Sequence, residues 1–253
     1  MKQVPLSCII LTNRNDKLFI ESLKSVQFAD QVLVVDNKSQ NDWSQLAKQF
    51  QFSVITYQDP IQNFAEVRNW AMKQAQHNWV LFLDSDELLS SRAPEQLQAI
   101  LMQDLYDGVY LTRSDIFHGH KLKYGEAGNQ AILRLFKKDR THFNRAIHEV
   151  AKVSGQVGQS EIEIEHLAHP TISSFLASVT EYSTNIAESY AKDRIALLME
   201  LLLFPPAKFF QNYVIKLGCL DGWPGLVYAM VMSIHSLTVR ARAYEKNLSV
   251  PTS

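Results

Sequence analysis

Within its first 84 residues the chain passes four times through a short apolar segment rich in β-branched residues and three times through a helical pattern. The apolar segments are Leu6 to Thr12, Gln31 to Asp36, Phe52 to Tyr57 and Trp79 to Asp84. Their hydrophobicity is continuous rather than alternating, as expected of strands covered on both faces in a parallel sheet. Between them lie Leu18 to Ala29, with Ile20, Leu23 and Val26 at three-residue spacing, then Trp43 to Phe50 and Phe64 to Gln76. This β-α-β-α-β-α-β order predicts a doubly wound α/β sheet, in which ligands sit at the carboxyl ends of the strands. Three of the four strands end there in polar side chains: Thr12 with Asn13 and Asn15, Asp36 with Asn37 and Ser39, and Asp84 with Asp86.

The first glycine is Gly108, so neither a dinucleotide-binding GxGxxG turn nor a GxxxxGK[ST] phosphate loop can occur among these strands. A phosphorylated ligand needs another way to offset its charge. With a formal net charge of -1 the chain has no basic field that recruits nucleic acid, so none is expected as a partner. At 253 residues and 46% hydrophobic it can bury a large core. The two cysteines, Cys8 and Cys219, lie far apart, which fits a reducing compartment, and the first apolar run reads as a strand rather than a signal peptide. A cytoplasmic location is expected.

The stretch Val80-Leu-Phe-Leu-Asp84-Ser-Asp86-Glu87 places three carboxylates in four positions at a strand end. An Asp-x-Asp facing a wet cleft can hold Mg²⁺ or Mn²⁺, and the ion fills its other positions with water and diphosphate oxygens. The alternative is that Asp84 caps the following helix while Asp86 and Glu87 occupy its first turn. Asp36 at the end of a neighbouring strand favours the metal reading.

Ile9 to Asp16 (IILTNRND), Val34 to Ser39 (VVDNKS), Arg68 to Ala71 (RNWA) and Trp79 to Glu87 (WVLFLDSDE) resemble the successive nucleotide-binding motifs of family 2 glycosyltransferases of the GT-A fold. More narrowly, the chain is similar to the bacterial glucosyltransferases of the lipopolysaccharide inner core. Leu133 to Phe136 (LRLF), Ile147 to Val150 (IHEV), His169 and Leu220 to Gly225 (LDGWPG) extend the likeness along nearly the whole chain. The chain departs from the family where Asp-Ser-Gly-Ser-Thr-Asp is usual, reading Asp36-Asn-Lys-Ser-Gln-Asn41, and Tyr124 to Gln130 lacks the aromatic-Pro-Asp pattern.

The resemblance implies a Rossmann-like, mostly parallel sheet flanked by helices, spanning residues 1–170, with a helical C-terminal region over 171–253. It implies transfer of a hexose, glucose by the narrower likeness, from a UDP-sugar to a lipopolysaccharide-core or other lipid-linked acceptor, with one divalent metal and inversion at the anomeric carbon. Thr12 and Asn15 then line the uracil end, Asp36 accepts from base or ribose, Arg68 positions the nucleotide and Asp84 takes the ribose side. Asp86 holds the metal, and His169 completes its shell in preference to His166. Arg134 and His148 face a phosphate or the acceptor. Inversion needs a base on the face opposite the departing diphosphate, and Glu149 of the His-Glu pair is the candidate, with Asp115 and Glu126 as rivals. Competing functions are a nucleotidyltransferase, which wants a glycine-rich loop this chain lacks, and a catalytically inactive nucleotide-sugar-binding or scaffold protein.

In the C-terminal region, Phe175 to Arg194 reads as an amphipathic helix. Ile195 to Phe204 follows, then a stop at Pro205-Pro206, and a last helix from Pro224 to about Tyr244. Five basic and two acidic residues occur from Lys208 onward, so the region is expected to dock on the cytoplasmic leaflet of an anionic inner membrane. Alternatively its apolar runs pack on each other or on a second subunit in a homodimer.

Overall fold

The computed structural model describes residues 3–61, 63–144, 150–188 and 193–249. In chain order the first elements are β1 (Val4–Leu11), α1 (Lys17–Ser25), β2 (Ala29–Asp36), α2 (Ser44–Phe50), β3 (Ser53–Thr56), α3 (Phe64–Lys73) and β4 (Trp79–Asp84). Then come β5 (Glu87–Leu89), α4 (Ala93–Gln103), β6 (Gly108–Phe117), β7 (His120–Lys121), β8 (Gln130–Lys137), β9 (Thr141–Asn144), β10 (Val150–Val153) and β11 (Val157–His169). Three helices close the chain: α5 (Ile172–Glu188), α6 (Arg194–Phe210) and α7 (Trp223–Ser249). They form two compact units, the first of residues 1–113 and 131–167, the second of residues 114–130 and 168–253.

The main sheet has the order β3-β2-β1-β4-β8-β6-β11-β5, with β7 paired to β6. It is parallel across β3-β2-β1-β4 and turns antiparallel where β8 meets β4. The expected Rossmann-like α/β sheet with flanking helices is the one observed.

Continuous apolar runs arise because both faces are buried. On one face Leu6, Cys8, Ile10, Val34 and Leu83 pack with Phe19 and Leu23 of α1 and Leu97 of α4. On the other, Ile9, Leu33, Val35 and Phe82 pack with Val67, Ala71 and Met72 of α3. Successive strand residues point to opposite faces, so every position in these runs finds an apolar neighbour. A separate two-stranded ribbon, β9 with β10, brackets residues 145–149.

In the second unit α5 and α7 pack around Phe175, Val179 and Val231 together with Phe117 and Leu122. Asp221 accepts hydrogen bonds from the backbone N–H of Lys123 and Tyr124, at 3.1 and 2.9 Å. The stop expected at Pro205-Pro206 is not there: α6 continues to Phe210 and then widens into a π-helical turn over Gln211–Ile215. Pro205 is buried, and its carbonyl accepts from the Ser233 hydroxyl of α7 at 2.8 Å, so packing on α7 holds a path that proline disfavours locally.

Candidate active site

The carboxyl ends of β1, β2 and β4 surround a cavity of about 270 Å³ in the first unit, lined by Leu11, Thr12, Asn37, Ile61, Phe64 and Ser85 among others. Thr12 stands at its wall, its hydroxyl accepting from the Arg14 N–H at 2.9 Å. Asn15 is exposed and outside that lining. The Asn37 amide donates to the carbonyls of Tyr57 and Asp59, tying the end of β2 to the chain after β3.

Asp36 is only 4% exposed. Its Oδ2 accepts from the Ser39 N–H at 3.2 Å, whereas its Oδ1 is buried with no hydrogen-bond partner among the described residues. Lys38, where the family usually has glycine, takes the left-handed conformation that glycine adopts freely, at φ 52°. Asn41, where an acid is usual, donates to the Asn13 carbonyl at 2.8 Å and to the Ser39 hydroxyl at 3.0 Å. The loops after β1 and β2 are thereby joined.

Asp84 ends β4, and Ser85-Asp86 form a tight turn into β5. The carboxylates therefore do not begin a helix. Asp84 is paired with Arg134 of β8 and, at 3.2 Å, with Arg68 of α3. Burial works to raise its pKa, but the two guanidiniums prevail and hold the carboxyl well below the usual range. Arg68 is buried, its guanidinium 5.1 Å from the centre of the Phe82 ring and 5.7 Å from that of Phe143. Glu87 has no exposed surface and accepts from the Asp84 N–H at 3.0 Å and from Arg134 at 2.8 Å. Arg68, Asp84 and Arg134 line a second cavity of about 410 Å³ in the same unit, with Tyr110, Phe143 and Val150.

Asp86 lies apart from this arginine pairing, its Oδ1 3.7 Å from Nε2 of His166. His166 is opposite Glu87 in the β11-β5 register, and its Nδ1 is 2.8 Å from the Arg113 guanidinium. A guanidinium only donates, so Nδ1 accepts, and a neutral ring carries its proton on the nitrogen facing Asp86. In that state His166 buttresses the carboxylate and does not offer a lone pair to a metal. Among the described residues no three His, Cys, Asp or Glu side chains form a metal cage. A lone strand-end carboxylate still fits Mg²⁺ or Mn²⁺, because those ions take most of their oxygens from phosphates and water.

The His169 ring stacks on Phe175 with centroids 4.1 Å apart. Glu149 and His148 lie outside the described residues. Of the rival bases, Glu126 is bound to Lys208 at 2.6 Å and Lys216 at 3.3 Å. Burial raises its pKa, but the two ammonium groups outweigh that and lower it, which makes it a weak proton acceptor. Asp115 belongs to the second unit, its backbone N–H donating to the Ala127 carbonyl at 3.1 Å. Glu87 and Arg113, whose Nε lies 3.6 Å from Glu87 Oε1, add to the site's charge network; Glu87 is visible in the sequence beside Asp86, while Arg113 has no local signal.

Residues 7–153 match the pattern of glycosyl transferase family 2. The chain belongs to that family. This glycosyltransferase is similar, at 20% identity over 97% of its length and 94% of the relative's, to the lipopolysaccharide core biosynthesis glycosyltransferase LpsC of Rhizobium meliloti. It is 26% identical to an uncharacterized glycosyltransferase of Rickettsia typhi over 56% of this chain and 50% of the relative. Among solved structures the glycosyltransferase is similar to S. aureus TarS 1-349 in complex with UDP-GlcNAc, with a TM-score of 0.49 and 13% identity, over 96% of this chain and 89% of that one.

Proposed function

We propose that this family 2 glycosyltransferase moves a hexose, glucose in the first instance, from a UDP-sugar to a lipopolysaccharide-core or other lipid-linked acceptor, with inversion and with one Mn²⁺ or Mg²⁺. The observation that carries the donor reading is Asp36. A buried carboxylate oxygen without a partner is costly, and it stands at the end of β2 between two residues that line the 270 Å³ cavity. A ligand N–H is the natural partner. Uracil offers one at N3, where cytosine has a bare acceptor, so the carboxylate favours UDP over CDP. Thr12 borders the same cavity, and Asn15 reaches the ligand only at its exposed edge.

Asp86 would hold the ion, which supplies positive charge for the departing diphosphate. The chain's own cations, Arg68 and Arg134, with Asp84 between them, form the wall of the neighbouring cavity, and there they orient a phosphate or the acceptor. Asp84, proposed for the ribose side, also fixes this pair. His169 stacks on Phe175 in the second unit through its ring face, a contact that does not use the in-plane nitrogen lone pairs a metal would take. Glu149 remains the proposed base, with His148 beside it: its sequence neighbour Val150 lines the 410 Å³ cavity. The full-length likeness to LpsC supports the lipopolysaccharide-core acceptor.

Calorimetric titration of UDP, GDP and CDP, each with Mn²⁺ and with EDTA, tests the donor class. The expected result is metal-dependent UDP binding that Asp36→Asn weakens by more than about tenfold, since a charge-assisted hydrogen bond is worth about 1.5–3 kcal/mol. Binding of none of the three in either condition would sink the reading. For the base, Glu149→Gln should lower kcat strongly with little change in UDP affinity.

A further inference from the structure

Of the large apolar side chains exposed among the described residues, sixteen fall between Ile195 and Leu237. On α6, Ile195, Leu198, Met199, Leu202 and Leu203 recur at three- and four-residue spacing and share one face. On α7, Trp223, Leu226, Met230, Ile234 and Leu237 do the same. Ile215 and Leu220 add to them in the connection between the helices. The opposite sides are buried, through Leu197 of α6 and Ala229, Val231, Val239 and Ala243 of α7. Each helix is thus apolar on its packed side and on its open side, unlike a surface helix in water. Exposed apolar rows of this length mark an interaction site.

We propose that this face docks on a membrane surface containing anionic phospholipid. Its composition favours lipid over protein: eleven of the twelve exposed side chains just named are Leu, Ile or Met, whereas protein interfaces draw their energy from Trp, Tyr and Arg anchors, with Leu under-represented. Its charge favours anionic lipid. From Arg194 to Ser249 there are six Lys or Arg and three acids. Lys208 and Lys216 share Glu126 at 2.6 and 3.3 Å and Arg240 pairs with Glu200 at 3.3 Å, so counting Glu126 the region keeps a net charge of +2, with Arg194, Arg242 and Lys246 toward the helix ends. Trp223 is exposed among the aliphatic side chains, as an aromatic residue is at the headgroup level. No described helix is long and apolar enough to cross a membrane, so the face lies along the surface.

Docking is independent of donor chemistry, because vesicle binding reads the second unit and UDP titration the first. The test is sedimentation of the full chain with phosphatidylcholine vesicles and with vesicles containing about one-third phosphatidylglycerol, a fraction high enough to give a negative surface potential. The expected result is binding to the anionic vesicles, at least about tenfold weaker to the neutral ones, and reduced by salt. Leu202→Glu with Ile234→Glu should lower binding by more than about tenfold while UDP affinity and the thermal melt stay unchanged; Leu202→Gln with Ile234→Gln provides a gentler pair should the first fail to fold. Failure of the wild-type chain to bind either vesicle, or equal binding by the variants, would overturn the proposal. A homodimer seen by light scattering and broken by the same substitutions, without vesicle binding, would assign the face to a second copy instead.

Discussion

The Glu87 carboxylate, without exposed surface, and the Arg134 guanidinium meet at 2.8 Å, while the same guanidinium holds Asp84. One cation thus joins the start of β5 to the end of β4 across β8. Glu87→Gln removes the charge but keeps the volume, and leaves Arg134 and Arg113 with less compensation in a buried place. Breaking one side of such a pair costs about 3–5 kcal/mol, and Asp84 remains, so about 3 kcal/mol is expected. Urea unfolding checks this through the midpoint shift.

In the proposed function Asp86 is the metal ligand and His166, 3.7 Å away, its support. Asp86→Ala should abolish the part of UDP binding that depends on Mn²⁺ and leave the thermal melt unchanged. His166→Ala should weaken that part by about tenfold without removing it, as loss of a residue behind a ligand does. Unchanged metal dependence in Asp86→Ala would mean that the strand-end carboxylates are structural.

Gly225 lies in the first turn of α7, where helix propensity alone predicts a gain of about 1 kcal/mol for alanine. A Cβ at that position would run into the Gly218 carbonyl oxygen. Gly225→Ala is therefore expected to destabilise by about 2 kcal/mol, in the range of overpacking, and a lowered melting temperature measures it.

His235 gives the second unit a pH dependence. Burial comes first, with Lys208 and Arg240 adding to it and Glu126 opposing, and together they lower its pKa. Below about pH 6.5 the unfolded chain takes up this proton more readily than the folded one, so stability falls as the pH drops from neutral toward the folded-state pKa. His235→Leu should flatten that slope in urea midpoints taken at about pH 5.5 and 7.5. Asp84 does not interfere: its folded-state pKa is lowered, so its contribution is complete above about pH 4 and is lost only in stronger acid.

The first four strands were legible because burial on both faces writes an uninterrupted apolar run, and each observed strand overlaps its run to within two residues at either end. Asp36 and Asp84 stood out as polar residues ending those runs. What lay beyond reach depends on register. Nothing near His166 shows that it will face Glu87, or that Arg113 will touch it, since the β11-β5 pairing joins segments nearly eighty residues apart. The same holds for residues 114–130, which group with helices that follow them by more than forty residues. Pro205-Pro206 misled for the opposite reason: the local rule was sound, and contact with α7 overrode it.

Asn41 has a consequence beyond joining two loops. An amide in place of a carboxylate leaves the loops after β1 and β2 one negative charge poorer. For the proposed diphosphate donor this means less repulsion, and the two loops are already clasped through the Asn13 carbonyl. Such a cleft should lean less on the divalent ion to attract its donor, and should spend less entropy in closing on it, than one that carries the acid and an open loop.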